Sequence, residues 1–348
     1  MALKTTSSRR TTLADVARHA GVTTMTVSRF LRTPALVAPE TARLVVAALE
    51  RTGYVANKQA GILATGYSSM VAAIIPNIAH SIFSETIQGL SDSLESQGLE
   101  LLLASSGYSL EREQKQIRAL LGWAPFALVV TGRHHTADSI RLLLAAHTAG
   151  TPVVEMWDQT GSRPEFAHIG FDHAAAGALM ALHLIEKGYD NLVYVDSSVA
   201  EDFRAHERGE GFARAAVQQG AKARIVRAGA GEPIAAGRRV FQHLLPSAAN
   251  RKKSIRALAF ANDHLAVGAL LQAQDQQVAV PERIALLGFG DFPIASQISG
   301  GISTIATPRY AIGQAVGQWI AGCKGAGLGP KADSVPELKP VLVQRCST

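Results

Sequence analysis

The sequence TLADVARHAGVTTMTVSRFLR, residues 12–32, contains two short helical patterns separated by a glycine. Thr12, followed three residues later by Asp15, forms a capping-box pattern at the start of the first helix. Gly21 ends that helix, and Thr23 can cap the second one. Apolar residues recur on one face of each helix, namely Leu13, Val16, Ala17 and Ala20 in the first and Val27, Phe30 and Leu31 in the second. This spacing predicts a helix-turn-helix.

A third helix is predicted after this pair. Pro39 stands at a first helical position, where proline loses no hydrogen bond, and Gly53 ends the pattern. The apolar face of this helix consists of Leu44, Val45, Ala48 and Leu49. Three helices with such faces can enclose one small core, so we predict an all-α head.

The positive charge of the chain is concentrated in this head. Residues 1–65 contain nine Lys or Arg against three Asp or Glu, and the remaining residues contain 25 of each. The whole net charge of +6 therefore arises in less than a fifth of the sequence. A small basic module is typical of a domain that contacts nucleic-acid phosphates, and the neutral remainder must have another role.

The composition excludes several classes of protein. Cys323 and Cys346 are the two cysteines and lack metal-ligand spacing, so we predict no disulfide framework, no metal site and no cofactor. No apolar run approaches the roughly 18 residues of a membrane span, and no secretion signal is evident, so we expect a cytoplasmic, nucleoid-associated protein. The sequence contains no phosphate-binding loop, nucleophile elbow or zinc-protease motif, so we predict no catalysis.

The larger part of the chain has the pattern of an α/β protein. Short apolar runs alternate with helical patterns, first at 71–76, 99–104, 127–131 and 152–156, then at 191–196, 223–226, 257–261 and 285–289, with 302–306 and 341–343 remaining. Strands covered by helices on both faces form parallel sheets, so we predict two doubly wound parallel-sheet subdomains. A ligand would bind where the carboxyl edges of the two sheets face each other.

Residues 12–29, TLADVARHAGVTTMTVSR, resemble the signature of the lactose/galactose repressor family of transcription regulators. The similarity continues through Gly53, Tyr54 and Asn57 and along the body to about residue 325. The resemblance implies a helix-turn-helix head followed by a periplasmic-binding-protein-like body. The implied segments are a disordered tail at 1–11, a DNA-binding domain at 12–56, a hinge at 57–68 and an effector-binding and dimerisation domain at 69–343. Within that domain, the implied N-subdomain is 69–170 with 303–328, and the implied C-subdomain is 171–302 with 329–343.

The resemblance places the base-reading positions at the start of the second helix, which enters the major groove in helix-turn-helix proteins. Arg29 can contact guanine or phosphate, and Met25 offers an apolar surface suited to a thymine methyl group. The alternative is that Thr24 and Met25 are simply exposed helix residues. The predicted DNA-binding residues are Thr12, Thr23, Thr24, Met25, Thr26, Ser28, Arg29, Arg32, Tyr54, Asn57, Lys58, Ala60 and Leu63.

Residues 57–65 can form a helix only with support, because the segment is short and contains Gly61. The resemblance implies that two such hinge segments pair across a dimer axis on DNA. It also implies that Leu63 wedges between base steps of the minor groove and bends the duplex. An ordinary flexible linker is the alternative interpretation.

In the body, the resemblance identifies effector-binding positions. Arg208 matches the family's effector-binding arginine, and a guanidinium can bind a carboxylate through two hydrogen bonds. The alternatives are a solvated arginine at this position, a core role for Phe83 and a capping role within the pair Asn262 and Asp263. His134 and His135 favour a loop or cleft role over metal binding. The predicted effector-binding residues are Phe83, His135, Asp172, Arg204, Arg208, Asn262, Gly290 and Asp291.

Residues 290 and 291 are Gly and Asp, where relatives often place an aspartate that binds sugar hydroxyls directly after the strand. With Arg208 present, this departure favours an anionic ligand, and the chain most resembles the gluconate-responsive branch of the family. We therefore expect a homodimer that binds a pseudo-palindromic operator and is released by gluconate or a related sugar acid. An effector or partner protein that strengthens DNA binding, a sugar-binding transport protein and a sugar-modifying enzyme are the alternatives.

Overall fold

A computed structural model of the chain divides it into two units, residues 1–68 and 69–348. We call them the head and the body. The residues that the structure describes are 11–55, 68–78, 81–159, 163–245, 256–324 and 338–348.

The head has the predicted three helices, α1 (Leu13–Ala20), α2 (Thr24–Arg32) and α3 (Pro39–Thr52), with a short 3-10 turn at Pro34–Leu36. Gly21 ends α1 with a φ of 66°, a left-handed conformation that glycine adopts without strain. The buried core consists of Val16, Ala17, Ala20, Val27, Val45 and Ala48. The helix-turn-helix prediction is confirmed. Leu31 and Leu44, which we expected in this core, are 37% and 52% exposed.

The body begins with a five-stranded parallel sheet in the order β2-β1-β3-β4-β5. Its strands are β1 (Met70–Ile75), β2 (Glu100–Ser105), β3 (Ala127–Thr131), β4 (Val153–Asp158) and β5 (Ala167–Phe171). The helices between them are α4 (Ser81–Glu95), α5 (Leu110–Leu121) and α6 (Ala137–Thr148). Apolar side chains bury both faces of this sheet, as parallel sheets require. The sequence pattern predicted four of these strands and missed β5.

A second sheet has the order β11-β10-β9-β8-β6-β7. Its strands are β6 (Asn191–Asp196), β7 (Lys222–Arg227), β8 (Ala257–Phe260), β9 (Ala285–Gly290), β10 (Ser303–Ala306) and β11 (Val341–Val343). The accompanying helices are α7 (His173–Glu186), α8 (Phe203–Gln218), α9 (Pro233–Leu244), α10 (Asp263–Asp275) and α11 (Pro293–Gln297). All strand pairs are parallel except β10 with β11. The predicted α/β body with two parallel-dominated sheets is confirmed.

The chain passes to the second subdomain after β5, returns to the first after β10, and is in the second sheet again at β11. The last helix, α12 (Arg309–Gly322), packs on α4 beside the first sheet. The predicted boundary at residue 303 needs correction, because β10 pairs with β9 and belongs to the second sheet. Among the described residues, no helix combines the length and apolarity that a membrane span requires.

Candidate functional site

A cleft that is partly open to solvent lies between the two sheets of the body, and the space in it, counted together with the adjoining solvent, is about 540 Å³. The first subdomain contributes Ile82, Phe83, Tyr108 and Trp157 to its walls. The second contributes His173, Asp202, Arg204, Arg208, Pro233, Ala261, Asn262, His264 and Phe292. Most of these residues directly follow strands or begin helices, which is where parallel α/β sheets bind ligands. Four predicted residues, Phe83, Arg204, Arg208 and Asn262, line this cleft.

Arg208 is the most buried cation of the cleft, with 5% of its surface exposed. One terminal nitrogen, Nη1, lies 3.1 Å from Nδ1 of His173, and the other donates to the carbonyl of Ala261 at 3.1 Å. The guanidinium lies 3.8 Å above the ring centre of Phe289. No carboxylate lies within ion-pair distance of this group in the part of the chain that the structure describes. A buried charge without a counter-ion is unfavourable, so the site is suited to an anionic ligand.

Helices α7 and α8 cross at very short range, which places His173 beside Arg208. A Cβ atom at Gly177 would lie 1.9 Å from the carbonyl oxygen of Arg208, and one at Gly211 would lie 2.1 Å from that of Ala174. Only glycine permits this approach. The two glycines therefore set the spacing between the first turn of α7 and the arginine of α8.

Aromatic rings form the wall contributed by the first subdomain. Phe83 packs edge-on against Trp157 with 5.5 Å between ring centres, and Trp157 packs similarly on Phe171 at 5.9 Å. The side chain of Phe83 is almost fully buried, so it is part of the core of the first subdomain as well as of the cleft lining. Tyr108 lines the same cleft, and burial raises the pKa of its phenol well above the ordinary value.

The opposite wall depends on a buried acid that lies next to a predicted residue. Asn262 caps α10 by accepting a hydrogen bond from Leu265 N at 3.1 Å, which leaves its amide nitrogen for a ligand. Asp263 accepts from Phe292 N at 2.7 Å and from Thr304 Oγ1 at 2.6 Å. Burial raises the pKa of Asp263 to about 6. Asp263 thereby fixes the loop that presents Phe292 to the cleft.

Three predicted effector-binding residues, Asp172, Gly290 and Asp291, do not line this cleft and make other contacts in the body. Asp172 is exposed and caps α7 by accepting from Ala175 N at 2.9 Å, so its neighbour His173 lines the cleft instead. The carbonyl of Gly290 accepts from Arg309, and the Asp291 side chain accepts from Arg345 at 2.6 Å. Neither residue is part of the cleft lining, whereas the next residue, Phe292, is.

His135, a fourth predicted effector-binding residue, does not line this cleft either, and its side chain is fully buried. Its Nδ1 lies 2.7 Å from Glu113 Oε2, and its Nε2 lies 3.4 Å from Glu155 Oε1. Burial lowers the pKa of His135, but the two glutamates outweigh burial and raise it to about 9. Arg163 donates to the same Glu155 oxygen at 2.7 Å. His135 is therefore part of a buried ionic cluster in the first subdomain.

Direct contacts join the two subdomains beside the cleft. Arg133 forms an ion pair with Glu207 at 2.6 Å, and His134 stacks on Phe203 with 4.4 Å between ring centres. Burial, followed by the nearby arginines, lowers the pKa of His134 to about 4, so this ring is neutral in the stack. Arg204 reaches across to the carbonyl of Thr131 at 3.4 Å. These contacts join the two subdomains at the edge of the cleft.

Sequence reasoning missed His173, Phe292, Tyr108 and His264 in the cleft. His173 and Phe292 are each one residue beyond a predicted position, and His264 follows the predicted Asn262 by two. The sequence does not show where each strand ends, and a shift of one residue at a strand end changes which side chain faces the ligand. The sequence around Tyr108 contains no motif that indicates a cleft position.

The head presents one face of α2 to solvent. Thr24 and Met25 in the first turn and Arg29 in the last turn are exposed, with Met25 at 66%. Thr23 caps α2 by accepting from Thr26 N at 3.2 Å, and Arg32 donates to the carbonyl of Ser28 at 3.3 Å. An exposed methionine among threonines has no packing role in the head.

Two other predicted DNA-binding residues also contact the head itself. Thr12 donates to Asp15 Oδ2 through its hydroxyl at 2.7 Å and through its backbone N–H at 2.9 Å. Tyr54 is half-buried and packs against the head core. Asn57, Lys58, Ala60 and Leu63, the predicted hinge contacts, lie outside the described residues.

A basic helix-turn-helix head attached to an α/β body with a ligand cleft defines a ligand-responsive, sequence-specific transcription regulator. Residues 12–57 match the bacterial regulatory proteins of the lacI family, and residues 181–348 match the periplasmic binding protein-like domain. The chain is 38% identical over 307 residues to the HTH-type transcriptional regulator GntR of Pseudomonas aeruginosa, covering 88% of this chain and 87% of that protein. The chain belongs to the LacI family.

Two further similarities agree with this assignment. The HTH-type transcriptional regulator GntR of Escherichia coli K12 is 29% identical over 324 residues, which cover 93% of this chain and 95% of that protein. A LacI family transcriptional regulator from Silicibacter pomeroyi superposes with a TM-score of 0.83 at 30% identity, covering 97% of this chain and 99% of the solved one.

Proposed function

We propose that the chain represses genes of sugar-acid catabolism and that gluconate, or a closely related aldonic acid, releases it from its operator. The observation that carries this proposal is the buried Arg208 guanidinium, which faces the cleft without a counter-ion among the described residues. An aldonate carboxylate supplies that counter-ion, and bidentate geometry suits a guanidinium. The resemblance to the gluconate-responsive branch, and the two relatives named GntR, support the same effector.

The remaining polar groups of the cleft match the hydroxyl-bearing carbons of such a ligand. Asp202 offers carboxylate oxygens, Asn262 an amide nitrogen, and His264 a ring nitrogen. Phe83 and Trp157 give an apolar surface for the carbon chain. A polyol with one terminal carboxylate uses all of these groups, whereas a neutral sugar leaves Arg208 uncompensated.

For DNA, we propose that α2 enters the major groove with Thr24, Met25 and Arg29 at base edges. A pseudo-palindromic operator then requires two heads a helical turn apart, which a homodimer provides. We place this dimer in the bacterial cytoplasm, as expected for a regulator that binds chromosomal DNA.

The proposed coupling runs through closure of the two subdomains. Ligand bound between them stabilises the closed contacts that Arg133, His134 and Arg204 make across the cleft. A hundredfold loss of operator affinity needs a coupling free energy of only ~3 kcal/mol. A few differential contacts therefore suffice for induction.

Fluorescence anisotropy tests this function with labelled DNA from upstream of the protein's own gene, at fixed salt because phosphate contacts make affinity salt-dependent. We expect tight binding that gluconate reverses and that glucitol, the neutral polyol of the same chain length, leaves unchanged. Tight binding indifferent to gluconate would refute the effector, and tighter binding with gluconate would indicate a corepressor. Recovery of chemically unchanged gluconate afterwards distinguishes a sensor from an enzyme.

A further inference from the structure

His173 is completely buried between the two subdomains and uses both ring nitrogens. Its Nε2 lies 2.9 Å from the carbonyl oxygen of Trp157, on β4 of the first sheet. Its Nδ1 lies 3.1 Å from Nη1 of Arg208, on α8 of the second subdomain. The imidazole therefore connects the arginine of the cleft to a strand of the opposite subdomain.

The chemistry of the two partners fixes the state of the ring. A guanidinium has only donors, and a carbonyl oxygen only accepts, so Nδ1 must accept and Nε2 must donate. The ring is therefore neutral and in the Nε2–H tautomer. Burial, followed by the positive charges of Arg208 and Arg204, lowers the pKa of His173 well below its ordinary value, in agreement with this assignment.

The backbone around Trp157 is arranged to present this carbonyl. Trp157 has a φ of 75°, a left-handed conformation that is costly for a bulky residue. Gly170 pairs with Trp157 across β4 and β5, and a Cβ there would lie 2.3 Å from the Trp157 carbonyl carbon. A strained residue facing a glycine persists only where the surrounding structure holds it in place.

We infer that His173 is a positioning residue that orients Arg208 for a carboxylate ligand and transmits the presence of that ligand to the first subdomain. The inference rests on the proposed function for the identity of the ligand. A neutral imidazole accepts one guanidinium N–H, and the Ala261 carbonyl accepts another, so the plane of Arg208 is set before ligand binds. The Nε–H of Arg208 is buried without a hydrogen-bond partner among the described residues, so it is left for the carboxylate. Because the Trp157 carbonyl lies on the other subdomain, tightening this chain of contacts favours closure.

Two substitutions separate the two hydrogen bonds. His173→Asn keeps an acceptor near the position of Nδ1 and loses the donor to Trp157. His173→Gln keeps a donor near the position of Nε2 and loses the acceptor for Arg208. His243→Gln is the matched control, because His243 is an exposed histidine of α9 whose Nδ1 contacts the helix carbonyl of Arg239.

Calorimetric titration of the full-length protein with gluconate measures the effect. We expect His173→Gln to weaken gluconate binding at least about tenfold, His173→Asn to retain affinity within about threefold, and the control to match the wild type. Equal losses in both His173 variants would overturn the positioning role and leave a purely structural one. Wild-type affinity in His173→Gln would also overturn it.

Nitrogen-15 NMR of the ligand-free, histidine-labelled wild type gives a second readout that needs neither a variant nor the effector. Arg208 and Arg204 on α8, Arg133 after β3 and Asp158 on β4 face this imidazole. We expect the Nε2–H tautomer to persist from about pH 5.5 to 8. A cationic ring, or the Nδ1–H tautomer, would refute the inference. If the wild type does not bind gluconate, the proposed function fails, and the NMR result alone decides the role of His173.

Discussion

Replacing Arg208 with leucine removes the buried guanidinium and tests the anionic-ligand site directly. A hydrogen bond to a charged group contributes roughly 1.5–3 kcal/mol, so loss of a bidentate pair with a carboxylate costs about 3–6 kcal/mol of binding free energy. Each 1.4 kcal/mol is about a factor of ten in affinity, so gluconate binding should weaken by at least about a hundredfold. Operator affinity without ligand should be unchanged, because Arg208 lies in the body rather than in the head.

The assay follows the anisotropy of a labelled operator and measures the gluconate concentration at which half of the operator is released from the protein. Arg214→Leu is the matched control, since Arg214 is an exposed arginine of the same helix. Arg208→Leu also leaves His173 Nδ1 and the Ala261 carbonyl without their hydrogen-bond donor. Thermal unfolding of this variant is therefore measured in parallel to show that it is folded. A folded Arg208→Leu protein with a wild-type release midpoint would refute the reasoning.

Three further predictions concern the head, the strand beneath the cleft and the buried ionic cluster. Arg29→Ala should weaken operator binding by about 1–3 kcal/mol in anisotropy, whereas Arg43→Ala, at another exposed arginine of the head, should cost much less. Gly170→Ala introduces a Cβ 2.3 Å from the Trp157 carbonyl carbon and should lower the free energy of unfolding by roughly 1–3 kcal/mol in denaturant titrations. His135 has a pKa of about 9, so the stability it contributes is fully present below its unfolded pKa and is lost as pH rises through 9. The denaturant midpoint should therefore fall between about pH 7 and 9.5, and His135→Gln should flatten that fall.

Each of these predictions has a contrary outcome. Equal losses for the two arginine variants of the head would mean that Arg29 makes only a general electrostatic contribution. Unchanged stability of the Gly170→Ala protein would mean that the two strands can separate without cost. An unfolding midpoint that is flat from neutral to alkaline pH would mean that the histidine is neutral in the folded protein.

The periodic parts of the fold could be predicted from the sequence, because helix and strand periods leave a direct pattern of apolar residues. The helix-turn-helix and ten of the eleven described strands of the body follow from that pattern. Strand β5 was missed because its sequence, AHIGF, is short and includes His168 and Gly170. The placement of residues 303–306 also failed, because the pairing of β10 with β9 depends on tertiary contacts that no local pattern contains.

The site was predicted where a residue's chemistry sufficed and was missed where geometry decided. Arg208 and Phe83 line the cleft as expected. At Asp172 the most polar residue was chosen, yet it caps a helix, and the neighbouring His173 faces the arginine. His135 was misplaced because a buried ionic cluster brings together residues distant in sequence.

Thermodynamic linkage tests the central claim of an effector site coupled to operator binding most directly. If gluconate lowers operator affinity by some factor, operator must lower gluconate affinity by the same factor. Calorimetric titration of gluconate into the free protein and into the saturated operator complex measures both sides. We predict weaker gluconate binding to the complex, by the factor that anisotropy gives for operator release. Equal gluconate affinity in the two titrations would contradict the account, because the cleft would then bind its ligand without influencing DNA binding.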